Sequence, residues 1–444
     1  MTAIVSSSFR LNAAKEFISD ATSTSTYYLF IGRSEAWTND ASPDNPYDNT
    51  YSTFTDAWQR MTAMKKLVTA DIVFGAPRYQ WISGTTYAEY DDRDSALEGK
   101  QYFVISDNNN VYICLKSGGV STVNPDTTGV QTSGVINQSG SDGYIWKYLF
   151  TVSTGNATKF LTSAFIPLVE ITSDPGVSAD TALRNQWDVQ QNAVHGAIYN
   201  VKIAAGGSGY TSTPTVTISG DGSGCTATAT VVGGVVTDIT VTAAGSGYNQ
   251  ATVTITGGGG SGATARVVHG PKNGFGYDAR NELRAHFCNI NTQLIYADGS
   301  GDFIVGNDFR QIGLIKNPFN FGTTTVATAD TLSATKSLTI AVGGTFAADS
   351  VFEGTVTGAK GVVDHYDATN GIIRYHQTEA TGFANFTTSD FVRPNGTSGS
   401  GQDVTAVNNP EAQPYSGDVV FLENRAPINR AGDQIETIKL VLEF

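Results

Sequence analysis

The sequence predicts a mainly β protein: a multi-domain body with a few helices, interrupted by two small inserted β modules. Three observations predict it. Gly 48 and only 15% charged residues are far from helical-bundle chemistry and suit a turn-rich β chain. Short runs of alternating hydrophobicity recur from end to end. Two stretches differ sharply in composition from the rest, and one of them repeats itself.

The first 193 residues are read as body. Leu11, Ala14, Phe17 and Ile18 share one helical face. So do Phe54, Ala57, Trp58, Met61, Met64 and Lys65, with Thr53 three residues before Asp56 as a capping signal. These predict two helices packed on a sheet. Period-two runs at 27–33, at 102–106 and 111–116 around the turn sequence DNNN, and at 144–152 predict strands.

Residues 194–270 form the first inserted module, rich in Gly, Thr, Val and Ala. GAIYNVKIAAGGSGY at 196–210 matches GVVTDITVTAAGSGY at 234–248, an offset of 38 residues. Two copies are too few for a solenoid, so the pair is expected to close as a small β module. Residues 271–323 return to body composition. A second module, 324–409, has short strands between Gly, Asn and Asp turns and predicts a small sandwich or barrel. Body strands resume over 410–444 and end in IETIKLVLEF.

The net charge of −14 repels phosphate backbones and argues against nucleic acid as a partner. No run approaches the about 18 apolar residues of a membrane span, and MTAIVSSSFRLNAAKEF lacks the pattern of a secretory leader. A cytosolic site of synthesis is expected. Cys114, Cys225 and Cys288 are odd in number and widely separated, so they read as ordinary buried thiols rather than a disulfide framework.

Motifs of chemistry fail on context. GGGGSG at 257–262 fits G-x-G-x-x-G, but the ATARVV that follows reads as a strand, whereas a dinucleotide fingerprint opens a helix. His286-x-Cys288 would share a strand face without the further clustered ligands of a metal site. DDRD at 91–94 concentrates carboxylates in a polar loop and reads as a solvated surface rather than a hydrolase pair. No cofactor, metal, small-molecule substrate or enzymatic activity is expected. Tyr210 and Tyr248, equivalent in the duplication, fit either a repeated structural corner or platforms for sugar rings. The second possibility would make the chain a receptor- or carbohydrate-binding protein.

Five segments carry a family resemblance: FIGRSEAW (30–37), DGYIWKYLF (142–150), DFRQIGLIKNP (308–318), VVFLENRAPI (419–428) and DQIETIKLVLEF (433–444). Together, and in this order, they resemble the gene-eight baseplate wedge subunits of T-even-type contractile-tailed phages and their cyanophage relatives. The resemblance spans 1–193, 271–323 and 411–444 and neither inserted module. It implies a β-sandwich body with peripheral helices, a homodimer, binding to other baseplate wedge proteins, and a place in the virion's tail baseplate after assembly in the host cytoplasm. It implies no active site. Carried onto the matched motifs, the candidate interface or structural residues are Arg33, Glu35, Trp37, Trp146, Arg310, Glu423 and Arg425. If the first strand continued, Arg33 and Glu35 would share a side and Trp37 would cap the core. Glu423 and Arg425 share a face by the same period, and Pro427 is expected to stop pairing beyond them.

Overall fold

The computed structural model describes residues 5–47, 50–137, 142–177, 179–295, 302–431 and 434–444. The protein is mainly β, with many sheets and a few helices. It divides into two compact units. One holds Met1–Lys15, Val73–Asn289 and Val441–Phe444; the other holds Glu16–Ile72 and Ile290–Leu440. Residues 1–193 therefore do not stay together as one piece of body. The strands Tyr27–Gly32 and Met61–Lys66 belong to the sheet of Asp308–Lys316, far along the chain.

That sheet organises the second unit. Its order is Thr331–Ser333, Met61–Lys66, Tyr27–Gly32, Asp308–Lys316 and Asp418–Asn429, antiparallel throughout. Tyr27–Gly32 is buried at every position, as is Phe309–Ile315. Burial on both faces explains apolar runs where an exposed sheet would alternate. Phe30 pairs with Gly313, where an added Cβ would meet the ring at 2.3 Å, so the glycine makes room for the aromatic. The helix Thr50–Arg60 lays Phe54, Ala57 and Trp58 against Tyr28, Phe30, Met61 and Met64.

The helix stops at Arg60 and the chain enters the strand Met61–Lys66 directly. The expected helix through Met64 and Lys65 is thus half strand. Met61 and Met64 fit a helical face, but a bulge at Thr62 places both on the same face of the sheet, against Phe30, so the i, i+3 spacing could not separate the cases. Thr53 lies inside the helix rather than at its cap, and its Oγ1 donates to the Tyr47 carbonyl at 2.9 Å.

Six strands between Lys336 and Asn408 close into a barrel. Phe346, Phe352, Tyr375 and Phe386 fill it, with Phe352 and Phe386 stacked at 5.0 Å. The stretch before Lys336 is not part of the barrel, since Thr331–Ser333 pairs with Ala63–Lys65.

In the first unit, Phe103–Ile105, Asn110–Lys116, Ile145–Thr151 and Ile136–Asn137 form one sheet. The expected hairpin turns through Asn109 at φ 60°, a left-handed conformation that Asn tolerates. In a second sheet Phe74–Pro77 pairs with Phe165–Leu168, Phe74 opposite Leu168 and Pro77 opposite Phe165. The helix Ser7–Ser19 buries Leu11 and Ala14 as its apolar face requires.

The duplicated segment forms a four-stranded sheet, Val235–Ser246, Ser223–Val232, Thr215–Gly220, Ala251–Thr256, and a pair, Ser261–Val267 with Val201–Ser208. The pairing interleaves the two copies. Val201–Ser208, Thr215–Gly220 and Ser223–Val232 from the first copy each pair with a strand of the second. Each copy thereby satisfies edges that the other leaves open, which is why two repeats suffice without caps. Bulges at Thr226/Ala227 and Thr264/Ala265 recur at the repeat offset.

Candidate interaction groove

Tyr27–Gly32 ends abruptly. Arg33 takes φ 59° and its N–H donates to the Arg60 carbonyl at 2.8 Å, so the chain turns where the helix Thr50–Arg60 finishes. The expected continuation of the strand through Glu35 does not occur. A Cβ at Gly32 would lie 2.6 Å from the Arg60 oxygen, and only glycine permits that approach.

The turn sends Arg33, Glu35 and Trp37 to different partners. The Arg33 guanidinium sits over the Trp37 ring at 3.7 Å, with Nη1 3.8 Å from Asp56. Trp37 Nε1 donates to the Arg425 carbonyl at 2.9 Å, and its backbone N–H donates to Asp40 Oδ1 at 2.7 Å. Arg310 grips Asp40 from Nε at 3.1 Å and Nη2 at 3.0 Å, and it also donates to the Ser34 carbonyl.

Glu35 faces inward. It lies 3.3 Å from Arg60 Nε, and its Oε1 accepts from His376 Nε2 at 3.0 Å; His376 Nδ1 donates to Asp364 Oδ1 at 2.7 Å. Burial opposes charge on this histidine. The Asp364 carboxylate, by charge and hydrogen bond, and then Glu35 overcome it and raise its pKa to about 10. Burial also works against the Glu35 carboxylate, but His376 and Arg60 hold it at about 2. Asp364 itself is pushed up by burial.

Glu423 and Arg425 do share a face, with Arg425 Nε donating to Glu423 Oε1 at 2.8 Å. Pro427 does not end the pairing. Ile428 and Asn429 pair with Phe309 and Asp308, because a bulge opposite Arg310 absorbs the proline. Gln311 Nε2 donates to Asn424 Oδ1 at 2.9 Å, and Asn424 Nδ2 donates to the Asp44 carbonyl at 2.8 Å.

Six of the seven candidate residues therefore come from three distant segments that meet in one network. Trp146 is the exception. It is fully buried in the first unit, stacked on Tyr144 at 5.3 Å, and serves an aromatic core rather than an interface.

Beside the network lies an open groove of about 900 Å³, lined by Trp37, Asp44, Tyr47, Tyr51, Asp56, Gln311, Glu379 and Asn424. A second depression of about 540 Å³ shares Pro46, Tyr47, Thr53 and Leu422 with it and runs along Gly417–Leu422. Tyr47 and Tyr51 are 76% and 80% exposed. These tyrosines, with Asp40, His376 and Asp364, escaped the sequence reading. The only local signal for the tyrosines is their place in the polar run NPYDNTY; the strand residues His376 and Asp364 carry none.

The remaining motifs resolve as structure. Tyr210 and Tyr248 are 5% and 4% exposed, so neither offers a ring face to a sugar. Each hydroxyl accepts a backbone N–H at 3.3 Å, from Ala263 and Cys225 respectively, at equivalent positions of the repeat. GGGGSG runs into the strand Ser261–Val267, with Gly260 beneath the Tyr210 ring. Asp91 of DDRD is no free surface acid. It is 7% exposed and bonded to Lys202 at 3.0 Å and Arg266 at 2.6 Å. Burial opposes its ionisation, yet these two cations hold it well below the usual carboxylate range. The three cysteines are free and buried. His286 and Cys288 recruit no third ligand: among the described residues no group of three or more His, Cys, Asp or Glu is placed to hold a metal. No described helix is long and apolar enough to cross a membrane.

No protein-family model matches the chain, and no curated protein matches it at a significant level.

Proposed function

We propose that this chain is a structural subunit of the baseplate wedge of a contractile-tailed phage. In this role it binds other wedge proteins, pairs as a homodimer, and helps to hold and rearrange the baseplate during tail contraction. One observation carries the reading. Three of the segments that resemble the wedge family, 30–37, 308–318 and 419–428, are far apart in the chain and converge on one groove with exposed aromatics. Interfaces are anchored by aromatics and arginine, and a groove walled by Trp37, Tyr47 and Tyr51 has that character. The net charge of −14 favours protein over nucleic acid as the neighbour.

The test is antibody labelling of purified virions of the encoding phage, imaged by negative-stain electron microscopy. Label in a ring at the distal end of the sheath, before and after contraction, is the expected result. Label at fibre tips, or none on the particle, would overturn the proposal and favour a receptor-binding tail protein or a non-virion role.

A further inference from the structure

Asp418–Asn429 is the last strand of its sheet. Among the described residues no strand pairs with its outer edge, and the indole of Trp37 covers only the Arg425 carbonyl. Over Asp418–Leu422 the edge is open, and it forms one wall of the groove whose other wall carries Pro46, Tyr47 and Thr53. Val420 on this stretch is 47% exposed. Open edges template pairing, and soluble proteins normally blunt them with lysine, proline or a covering loop. This stretch carries neither lysine nor proline, and its one irregularity is a bulge at Val420, between the Phe421–Leu314 and Val419–Ile315 pairs. Five residues of edge present about 17 Å of unpaired backbone.

The charge of the groove is one-sided. Its lining arginine, Arg60, is neutralised within the fold by Asp56 and Glu35. Asp44, Glu379 and Asp418 are exposed, and among the described residues none of them forms an ion pair. An occupant must therefore supply strand hydrogen bonds to the edge and cations to the groove.

We propose that the groove receives an extended, lysine- or arginine-bearing segment of another protein, which adds to Asp418–Leu422 as a sixth strand between the edge and Tyr47. Within the wedge reading, on which this rests, that segment belongs to a neighbouring wedge protein. Backbone pairing gives affinity whatever the sequence, and the acids select the charge.

The test uses the full chain and three fluorescent octapeptides followed by anisotropy: alternating lysine and valine, the same with glutamate for lysine, and the basic one N-methylated at alternate amides. The basic peptide should bind, the acidic one should not, and methylation should weaken binding at least about tenfold, the effect of losing one or two hydrogen bonds. The variant Glu379→Lys with Asp418→Lys should lose the preference for the basic peptide. If it does not fold, the methylated probe on the unaltered chain decides alone. Equal binding of basic and acidic peptides, indifference to methylation, or no binding at about 1 mM would overturn the inference. So would hydrogen-exchange protection of Val419–Leu422 that grows with protein concentration, which would name a second copy as the occupant. Virion labelling is independent of these outcomes, so the two proposals fail separately.

Discussion

His376 donates to Asp364 at 2.7 Å with both side chains buried, His376 at 6% exposure and Asp364 at 0%. The bond joins two barrel strands, Lys360–Asp367 and Ile372–His376, while the other ring nitrogen holds Glu35 beyond the first sheet strand. The barrel and the turn leading to Trp37 therefore share one buried charged ring. Removing it leaves the buried Asp364 carboxylate without a cation and Glu35 with Arg60 alone.

His376→Ala should destabilise the second unit by roughly 3 to 5 kcal/mol, the cost of stranding buried charge. The pH dependence has a definite sign. The histidine pKa rises from 6.5 to about 10 on folding, so its contribution is complete below about pH 6.5 and is lost as pH climbs toward 10. Glu35 falls from 4.5 to about 2, so its contribution is present above pH 4.5 and is lost as pH falls toward 2. Asp364, pushed up by burial, opposes both at high pH. Urea denaturation from pH 6 to 10 should show stability declining in the native chain and a flatter profile in His376→Ala.

The tyrosine corners give a second prediction. Tyr210→Phe and Tyr248→Phe should each cost about 1 kcal/mol, one hydrogen bond apiece, and should add. Gly222→Ala and Gly260→Ala should cost more, because the new Cβ would lie 2.6 Å and 2.5 Å from the facing tyrosine rings. Thermal denaturation measures both sets. A loss of glycan binding on Tyr→Phe substitution with unchanged stability would contradict the structural role.

The duplication, the barrel and most strands were legible because local composition and period two report them directly. The strand Met61–Lys66 was not, because a bulge at Thr62 puts Met61 and Met64 on one face at the i, i+3 spacing that a helix shares. The resemblance pointed to Arg33, Trp37, Arg310 and Arg425, but their meeting depends on the pairing of Tyr27–Gly32 with Asp308–Lys316 and of that strand with Asp418–Asn429. Contacts between residues 270 or more positions apart leave no local trace. Trp146 looked like its fellow motif residues because a core tryptophan and an interface tryptophan have the same letter and the same flanking strand pattern.

Glu282 in the first unit should make stability fall as pH rises. Gly276 donates to both its oxygens at 2.8 and 2.9 Å, and Asp278 donates at 3.2 Å. Burial nevertheless pushes its pKa up to about 7 from 4.5. Between these values the folded chain keeps a proton that the unfolded chain releases, so stability declines with a slope of at most about 1.4 kcal/mol per pH unit. Glu282→Gln should remove that slope. Denaturation of both chains at pH 5 and pH 7.5 checks it.

Arg310 supports the turn that presents Trp37, through two bonds to Asp40 and one to the Ser34 carbonyl. Lysine keeps the charge but cannot make the two-pronged contact, since its ammonium is a single point on a flexible stem. Arg310→Lys should leave the five-stranded sheet intact, because Phe309 and Gln311 keep their pairings with Ile428 and Asn424. The loss should be local. The Trp37 amide, bonded to Asp40 at 2.7 Å, should exchange at least about tenfold faster, as expected when a charged hydrogen-bond partner is released. Amides of Tyr27–Ile31 should be unchanged. If exchange quickened across the whole sheet instead, Arg310 would be a core element of the second unit, and the turn around Trp37 would owe its shape to the Arg33 and Arg425 contacts alone.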